Sequence, residues 1–415
     1  MIDRCVLPRK VQVVVVGAGP AGASAAWHLA TQGIDVLLLD RARFPRDKIC
    51  AEYLSPQASR ILAAMGAMEE IESTAPAHLT GMRVRAPNGC EIHGSFVARH
   101  GYRAFRDRGI AVRRSVLDGI LVQRAQSAGA RLIEHARVTD VLRDQSGKAC
   151  GVSVLDQEGI SHELPAALVV GADGLRSVVG RRLGLTRVSR YPRRVAFVAH
   201  FRNVPDVSDV GEMHVERDGY VGIADVGHGL TNVALVIPAR AARDSALSAN
   251  DMFDGWLASH PHLASRFALA ERTEPVRATG PFASSTSRAW APGAALVGDA
   301  AEFFDPFTGE GVYSALRGGE ILGPFAAEAA RDPRGSAMYL SEYQRVRRAE
   351  FHGKWLVEKL IGATVAVPAL INHAARALSR RREMADLLVG VAGDFVPPSQ
   401  VLKLGYFARL LLFGV

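Results

Sequence analysis

The sequence predicts an α/β fold in which a parallel-sheet domain is interrupted by an inserted antiparallel β-sheet domain and followed by a helical C-terminal region. Three observations carry that expectation. Residues 11–16, VQVVVV, form a nearly all-apolar run of strand length that Gly17 stops at once; a glycine triplet opens the helix that follows; and residues 193–238 switch to strands separated by turn signals. A strand buried on both faces reads as a continuous apolar run, whereas a sheet with one free face alternates.

Taken in order, Ala23 to Gln32 reads as a helix closed by Gly33, and Val36–Asp40 (VLLLD) as a second apolar strand, completing a βαβ unit in about 30 residues. Ser55-Pro56, ahead of a periodic apolar pattern to Gly66, has the cap, first-turn proline and closing glycine of a helix, and Ser115 to Gly129 repeats the pattern. Strands are expected at Arg131–His135, Gly151–Leu155 and Leu168–Gly171. Between Arg193 and Pro238 the segments RRVAFVAHF, GEMHVE, YVGIAD and TNVALVI predict an antiparallel meander, suited to wall a substrate cavity. Ala294–Val297 returns to a short buried strand, and a helical pattern runs from Gly311 to Ala330. These limits assign residues 1–75, 111–185 and 286–340 to the parallel-sheet domain, 76–110 and 186–285 to the substrate domain, and 341–415 to covering helices.

A chain of 415 residues with 48% hydrophobic and 22% charged content is globular and long enough for two or three packed units. Lys and Arg exceed Asp and Glu, 50 against 42, and the pI of about 9.6 favours anionic ligands. None of the clusters Arg99–Arg114, Arg345–Arg348 and Arg380–Arg382 interleaves aromatic residues in the manner of a nucleic-acid platform, so a solvated basic surface is expected instead. Cys5, Cys50, Cys90 and Cys150 form no CxxC pair, which fits a reducing cytoplasm better than a disulfide framework. No HExxH spacing occurs among the 13 histidines, so no metal is expected. Met1–Lys10 lacks the apolar stretch of a signal peptide.

Gly17-Ala18-Gly19-Pro20-Ala21-Gly22 is GxGxxG set between strand and helix, with Asp40 at the end of the next strand. Gly17 permits the tight turn, Gly19 lets main chain approach a pyrophosphate, Gly22 allows close helix–strand packing, and Asp40 accepts hydrogen bonds from ribose hydroxyls. The pattern predicts a Rossmann-like dinucleotide site, to which Arg41 and Val138 are also assigned.

Two later segments, LVVGADGLRS at 168–177 and ALVGDAA at 295–301, resemble in order and spacing the second and third motifs of the para-hydroxybenzoate hydroxylase type of flavoprotein, over roughly residues 10–325. The resemblance implies FAD. It places Gly298 and Asp299 at the ribityl chain, Asp173 near the pyrophosphate with a link to NADPH or NADH as reductant, and Arg114 against the cofactor. Asp305–Val312 (DPFTGEGV) then opens a helix whose N-terminus, with Pro306, Gly309, Gly311 and Val312, would face the flavin pyrimidine, where amide donors stabilise the negative charge of the reduced ring. Residues 44–56, FPRDKICAEYLSP, resemble a stretch of the geranylgeranyl-reductase-like and halogenase-like branch of that superfamily, with Ala51 where the branch has glycine. Cys50 either contacts the isoalloxazine or is a small buried hydrophobe; Glu52 is either a polar anchor or a surface residue at a helix entry. The halogenase WxWxIP signature and the reductases' YxWxFP-like segment are both absent, the latter position reading YVGIAD at 220–225.

The first functional expectation is an FAD monooxygenase, reduced by NADPH or NADH, that hydroxylates or epoxidises an apolar or aromatic small molecule such as a polyketide or isoprenoid. The alternative is a flavin-dependent reductase of an isoprenoid or polyketide double bond, with a halogenase and then a non-catalytic flavin-binding protein behind it. The apolar segments LIGATVAVPALI and KLGYFARLLLFGV read either as core helices or as peripheral membrane contacts.

Overall fold

A computed structural model describes residues 7–97, 101–188 and 193–412. Cys5, Arg99 and the last three residues of KLGYFARLLLFGV lie outside them.

The first sheet has the strand order Trp290–Ala291, Ala294–Leu296, Ser161–Gly171, Val11–Val16, Val36–Leu39, Arg131–Ile133. All neighbours after the first pair run parallel. Val13, Val14 and Val15 are fully buried, as the unbroken apolar run requires. The expected helix at Ala23–Gln32 begins earlier, at Pro20, because proline suits a first turn, and it ends at Ala30. The helix expected from Ser55 begins at Ala58, with Ser55–Gln57 spent on the preceding turn. Helix Gly311–Arg331 crosses helix Pro20–Ala30 at glycines: a Cβ on Gly319 would stand 2.6 Å from Ala25 N. That closeness fixes the start of the longer helix relative to the glycine-rich loop.

The second sheet follows the order Glu271–Arg272, Arg194–Arg202, Thr231–Pro238, Tyr220–Asp225, Val210–Val215, Gly81–Arg85, Glu91–Ser95. It departs from a simple antiparallel meander in two ways. Arg194–Arg202 pairs with Thr231–Pro238 rather than with its successor, and Val210–Val215 pairs parallel with Gly81–Arg85. Both follow from the 75–110 segment, whose strands enter this sheet and occupy the edge that a meander would leave open.

Side chains alternate across the sheet as a period of two demands. Phe197, Ala199, Val221, Val233 and Leu235 pack beneath helices Ala249–Ser259 and Pro261–Phe267, through Phe253, Trp256 and Leu263. Ala196, Val198, Gly222, Ala234 and Val236 point the other way, into a cavity against the first domain. Helices Ala249–Ser259 and Pro261–Phe267, over the Phe197 face, were not read from the sequence. After Ser336 come helices Ser336–Val365, Pro368–Ser379, Arg382–Ala392 and Leu404–Leu412. Arg347, expected on a solvated cluster, is buried, 3.7 Å from Glu302 and over the rings of Phe351 and Trp355.

Candidate active site

Parallel pairing brings four chain turns to one edge. Val16 lies opposite Leu39 and Gly171, and Gly171 opposite Leu296, so Gly17, Asp40, Ala172 and Val297 leave the sheet side by side. The order reverses at Val11–Val16, and a crevice opens at such a switch point beyond the carboxyl ends of the strands.

Gly17 holds φ +96°, and a Cβ there would meet Ala172 O at 2.6 Å; one on Gly22 would lie 1.8 Å from Gly17 O. These two glycines are filled by protein. Gly19 is not: the nearest atoms to a Cβ are Nη2 of Arg46 at 3.4 Å and Nη2 of Arg114 at 3.8 Å. The following helix has no side-chain cap, so first-turn amides and two guanidinium groups converge on space beside Gly19. Ala18 N donates to Asp40 Oδ2 at 2.8 Å and Ala42 N to Oδ1 at 2.9 Å, which orients the buried carboxylate.

Two cavities meet at Gly19, Lys48 and Ala172. One, of about 470 Å³, is bordered by Asp40, Arg41, Val138 and Asp173. The other, of about 190 Å³, is bordered by Pro20, Ala21, Cys50, Arg114 and Asp299, by Pro306, Gly309, Gly311 and Val312, and by the inward face of the second sheet. A Cβ on Gly311 would find nothing nearer than Phe303 at 3.8 Å. Gly298, at φ +62°, packs against Ala21 instead. Open glycines at two helix starts, cations in the narrow middle and a carboxylate at each end fit a dinucleotide: adenosine in the first cavity, pyrophosphate at Gly19, ring in the second.

Arg114 is buried, with Nε and Nη2 each 2.8 Å from the carboxylate of Asp118, which Arg46 also reaches at 3.0 Å. Burial opposes its charge, but Asp118 and the Cys50 sulfur outweigh that and raise its pKa. Lys48 borders the cleft with its side chain exposed to the open cavity; desolvation among the surrounding groups and then Arg114 lower its ammonium below the ordinary lysine range, with Asp299 pulling the other way. Burial raises the Asp299 carboxyl, which Lys48 and Arg114 partly offset. Asp173 accepts from Val178 N and Val179 N through Oδ2, while Oδ1 is buried without a partner. Its first task is therefore to cap the helix Val178–Arg182.

Glu52 is buried at 2% exposure, which removes the surface reading. It adopts φ +60°, so the left-handed residue of this loop is Glu52 and not Ala51. Strain of that kind persists only where neighbours enforce it. Here Arg114 N donates to Oε1 at 3.0 Å, while His200 Nε2 and Asn232 Nδ2 meet Oε2 at 2.6 and 3.1 Å. His200 Nδ1 contacts Glu274, and Asn232 also donates to Cys50 O at 3.0 Å. Glu52 does not border the cavity, so it positions the loop that carries Cys50. Cys50 is half-buried, bordering the cavity on one side and packing on the core with the other.

The turn Pro306–Thr308 is held by Asp305, which accepts from Phe307 N at 3.1 Å and Tyr220 OH at 2.6 Å and pairs with Arg194. Burial, then the neighbouring Asp305, push the Tyr220 hydroxyl well above the ordinary range. Among the described residues no group of acidic, histidine and cysteine side chains has the geometry of a metal site.

A family model described as "FAD binding domain" matches residues 10–352. The chain belongs to that family of FAD-dependent oxidoreductases. Digeranylgeranylglycerophospholipid reductase 2 of Methanopyrus kandleri is 34% identical over 393 residues, 92% of this chain and 93% of that one. The fold is shared with the myxobacterial chondrochloren halogenase, at a TM-score of 0.77, 26% identity and coverage of 85% and 82%. It is shared also with a probable FAD-dependent monooxygenase from Pseudomonas aeruginosa, at a TM-score of 0.69, 21% identity and coverage of 87% and 98%.

The flavoprotein's site thus gathers residues that the sequence named and others it did not. Arg46 and Lys48 lie inside the FPRDKIC segment, where two cations beside a phosphate-binding loop were a legible signal. His200, Asn232, Arg194 and Tyr220 carried none, because each acts through a partner more than 80 residues away.

Proposed function

We propose that this chain reduces carbon–carbon double bonds of an isoprenoid, with electrons entering from NADPH or NADH. The observation that carries the reading is the makeup of the second cavity. Its charged residues, Lys48, Arg114 and Asp299, gather at the Gly19 end, while Val198, Met213, Ala234, Val236 and Phe282 line the part against the second sheet. Such a space desolvates an apolar chain and offers it little to ionise. The relative named as a prenyl-lipid reductase, at 34% identity over nearly the whole chain, weighs the same way. Oxygenation, the first expectation, takes second place, because the likeness to a monooxygenase extends to the fold alone.

Bound here, FAD supplies a two-electron couple that, once reduced, gives one carbon of the double bond a hydride equivalent while the other carbon takes a proton. Arg46 and Arg114 would hold the pyrophosphate beside Gly19, and the amides at Gly311 would meet the ring. Cys50 borders the cavity that would hold the ring, its sulfur accepting from Glu52 N at 3.3 Å. It is the candidate proton donor, regenerated from solvent. The inward face of the second sheet excludes water and selects the chain.

The exposed Leu356, Leu360, Leu370, Leu404 and Leu411 on the C-terminal helices, with Arg376 and Arg409 on the same helices, support peripheral membrane contact. No single helix among the described residues is long and apolar enough to cross a membrane, although the bent pair Ser336–Val365 and Pro368–Ser379 passes by length and composition together.

The test is turnover of a prenyl substrate under strict anaerobiosis with NADPH or NADH. A product heavier by two hydrogens per double bond, with C50A slowing turnover but not flavin reduction, is the expected result. A product formed only with oxygen, and heavier by one oxygen atom, would restore the monooxygenase.

A further inference from the structure

On the face of the second sheet that turns away from the flavin cavity, helix Pro261–Phe267 docks through charged groups as well as through Leu263. Strand pairing sets Glu212 beside Arg83 and His214 beside Arg85 on that face. Met213, between Glu212 and His214, points the other way and borders the flavin cavity. The contact between helix and strand is a pair of imidazoles: the rings of His262 and His214 stack with centroids 5.4 Å apart and 26° between their planes. His214 Nε2 meets Glu212 at 2.9 Å, while its Nδ1 is buried without a partner. Arg266 and Arg83 also hold Glu212, at 2.6 and 3.0 Å.

His262 Nε2 lies 3.4 Å from Arg85 Nη1, the arrangement of a neutral imidazole nitrogen accepting from a guanidinium. Glu216 stands 3.6 Å from the same nitrogen but pairs with Arg85 at 3.3 Å, and His260 turns to Asp218 at 3.4 Å. A proton on His262 would remove the lone pair to which Arg85 donates and set a new cation against Arg85, Arg266 and the stacked ring. Enclosure, then Arg85, His214, His260 and Arg266, push the His262 imidazole down to about 4. A base lowered in this way leaves the docked helix at full strength above the ordinary histidine value and weakens it as pH falls from there toward the lowered one.

We propose that the stacked pair His214 and His262 is an acid-released latch: in mild acid helix Pro261–Phe267 lets go of strand Val210–Val215 and loosens the wall that Met213 presents to the flavin cavity. The device belongs to the wall and does not depend on which substrate the cavity takes. The strand keeps its main-chain pairing with Tyr220–Asp225 and Gly81–Arg85, so the sheet survives the release.

The experiment follows hydrogen exchange of the Leu263 and Ala264 amides, which donate to His260 O at 2.9 and 2.8 Å, in the FAD-loaded protein at pH 7.5 and pH 5.5, with intrinsic exchange rates divided out. With the imidazole at its ordinary value once released and at about 4 when docked, the opening constant should rise about tenfold over that interval. Burial raises the Glu216 carboxyl, which acts in the opposite sense in stronger acid, so the comparison stops at pH 5.5. In H262Q the rise should fall below about threefold, whereas in H93Q, which removes an exposed imidazole elsewhere on the sheet, it should stay about tenfold. The signal of a methyl-labelled methionine, assigned to Met213 through M213L, should shift between the two pH values in the parent and hold still in H262Q. An opening constant that ignores pH, an equal rise in H262Q, or a helix that opens while Met213 stays unmoved would overturn the latch. The first and last of these are read from the parent alone, so the test does not depend on H262Q folding.

Discussion

The two sheets build their parts of the active site by opposite means. On the parallel sheet the main chain does the work: strand ends in register set Gly17, Asp40, Ala172 and Val297 along one edge, and glycines leave room there. On the second sheet the work falls to side chains paired across long sequence distances, Glu52 with His200 and Asn232, and Asp305 with Arg194 and Tyr220. A site made from main chain is lost through a single methyl group, whereas one made from paired side chains is lost through a single unmatched charge. The contrast also says where such a protein can change its substrate: the inward face of the second sheet varies without moving the cofactor.

The sharpest way to break that comparison is to put a methyl on each of two glycines. G22A places a Cβ 1.8 Å from Gly17 O, main chain that cannot step aside, so it should cost about 3 kcal/mol or more and yield little folded protein. In G19A the Cβ meets only the ends of two arginine side chains. That variant should melt within about 2 °C of the parent apoprotein yet bind FAD at least a hundredfold more weakly, because the methyl occupies the pyrophosphate's place. Thermal melts and flavin titration separate the two, and a G19A protein that stays yellow would overturn the assignment.

On the second sheet the largest effect is expected at the buried His200. H200L leaves Glu52 and Glu274 without their shared partner and should cost about 3 kcal/mol, within the range for breaking a buried ion pair. H200L/E52Q should recover at least about 1 kcal/mol of that, since neutralising Glu52, which keeps Arg114 N and Asn232 as donors, removes the charge that His200 no longer meets. Denaturant unfolding of the four proteins gives the coupling directly. Strict additivity would mean that the pair is not a unit.

This difference in means explains what could be read in advance. The βαβ unit, the glycine triplet, Asp40 and the helix start at Gly311 were legible because each is a local rule about where main chain must turn or approach, whereas the 168–177 and 295–301 motifs were legible only through resemblance. The 76–110 insertion was expected in the substrate domain, but neither its strands at 81–85 and 91–95 nor the parallel pairing of 81–85 with Val210–Val215, since register across about 130 residues leaves no local trace. Glu52 was singled out through a resemblance. Its burial and left-handed backbone could not be foreseen, because both depend on His200 and Asn232. Arg347 shows the same limit: a basic run looks solvated until Glu302, Phe351 and Trp355 fold around one member.

A smaller effect is expected at the junction of the two sheets. Y220F removes the hydrogen bond to Asp305 and leaves Phe307 N and Arg194 on that carboxylate. The loss should be about 1 kcal/mol, the usual net worth of such a bond. Because Tyr220 borders the flavin cavity, KM for the isoprenoid should rise about threefold to tenfold with flavin reduction by nicotinamide unchanged. A fall in kcat alone would place Tyr220 in the chemistry instead.

The mildest test lies where the flavin-facing helix meets the C-terminal helices. Burial, then the charge of Glu310, raise the Glu358 carboxyl well above the ordinary range; Lys354 opposes this, while Glu302 and Asp305 add to it. A carboxyl raised in the folded state keeps its proton where the unfolded chain has released its own. Its contribution to stability is therefore full below the ordinary carboxylate range and is lost as pH rises through the raised value. E358Q stays neutral throughout and keeps a side chain that can donate to Glu310. Its melting temperature should match that of the parent near pH 4.5 and exceed it by about 1–3 °C at pH 8. A gap that does not grow with pH would show that Glu358 ionises freely, and that the helices here meet without a proton held among their carboxylates.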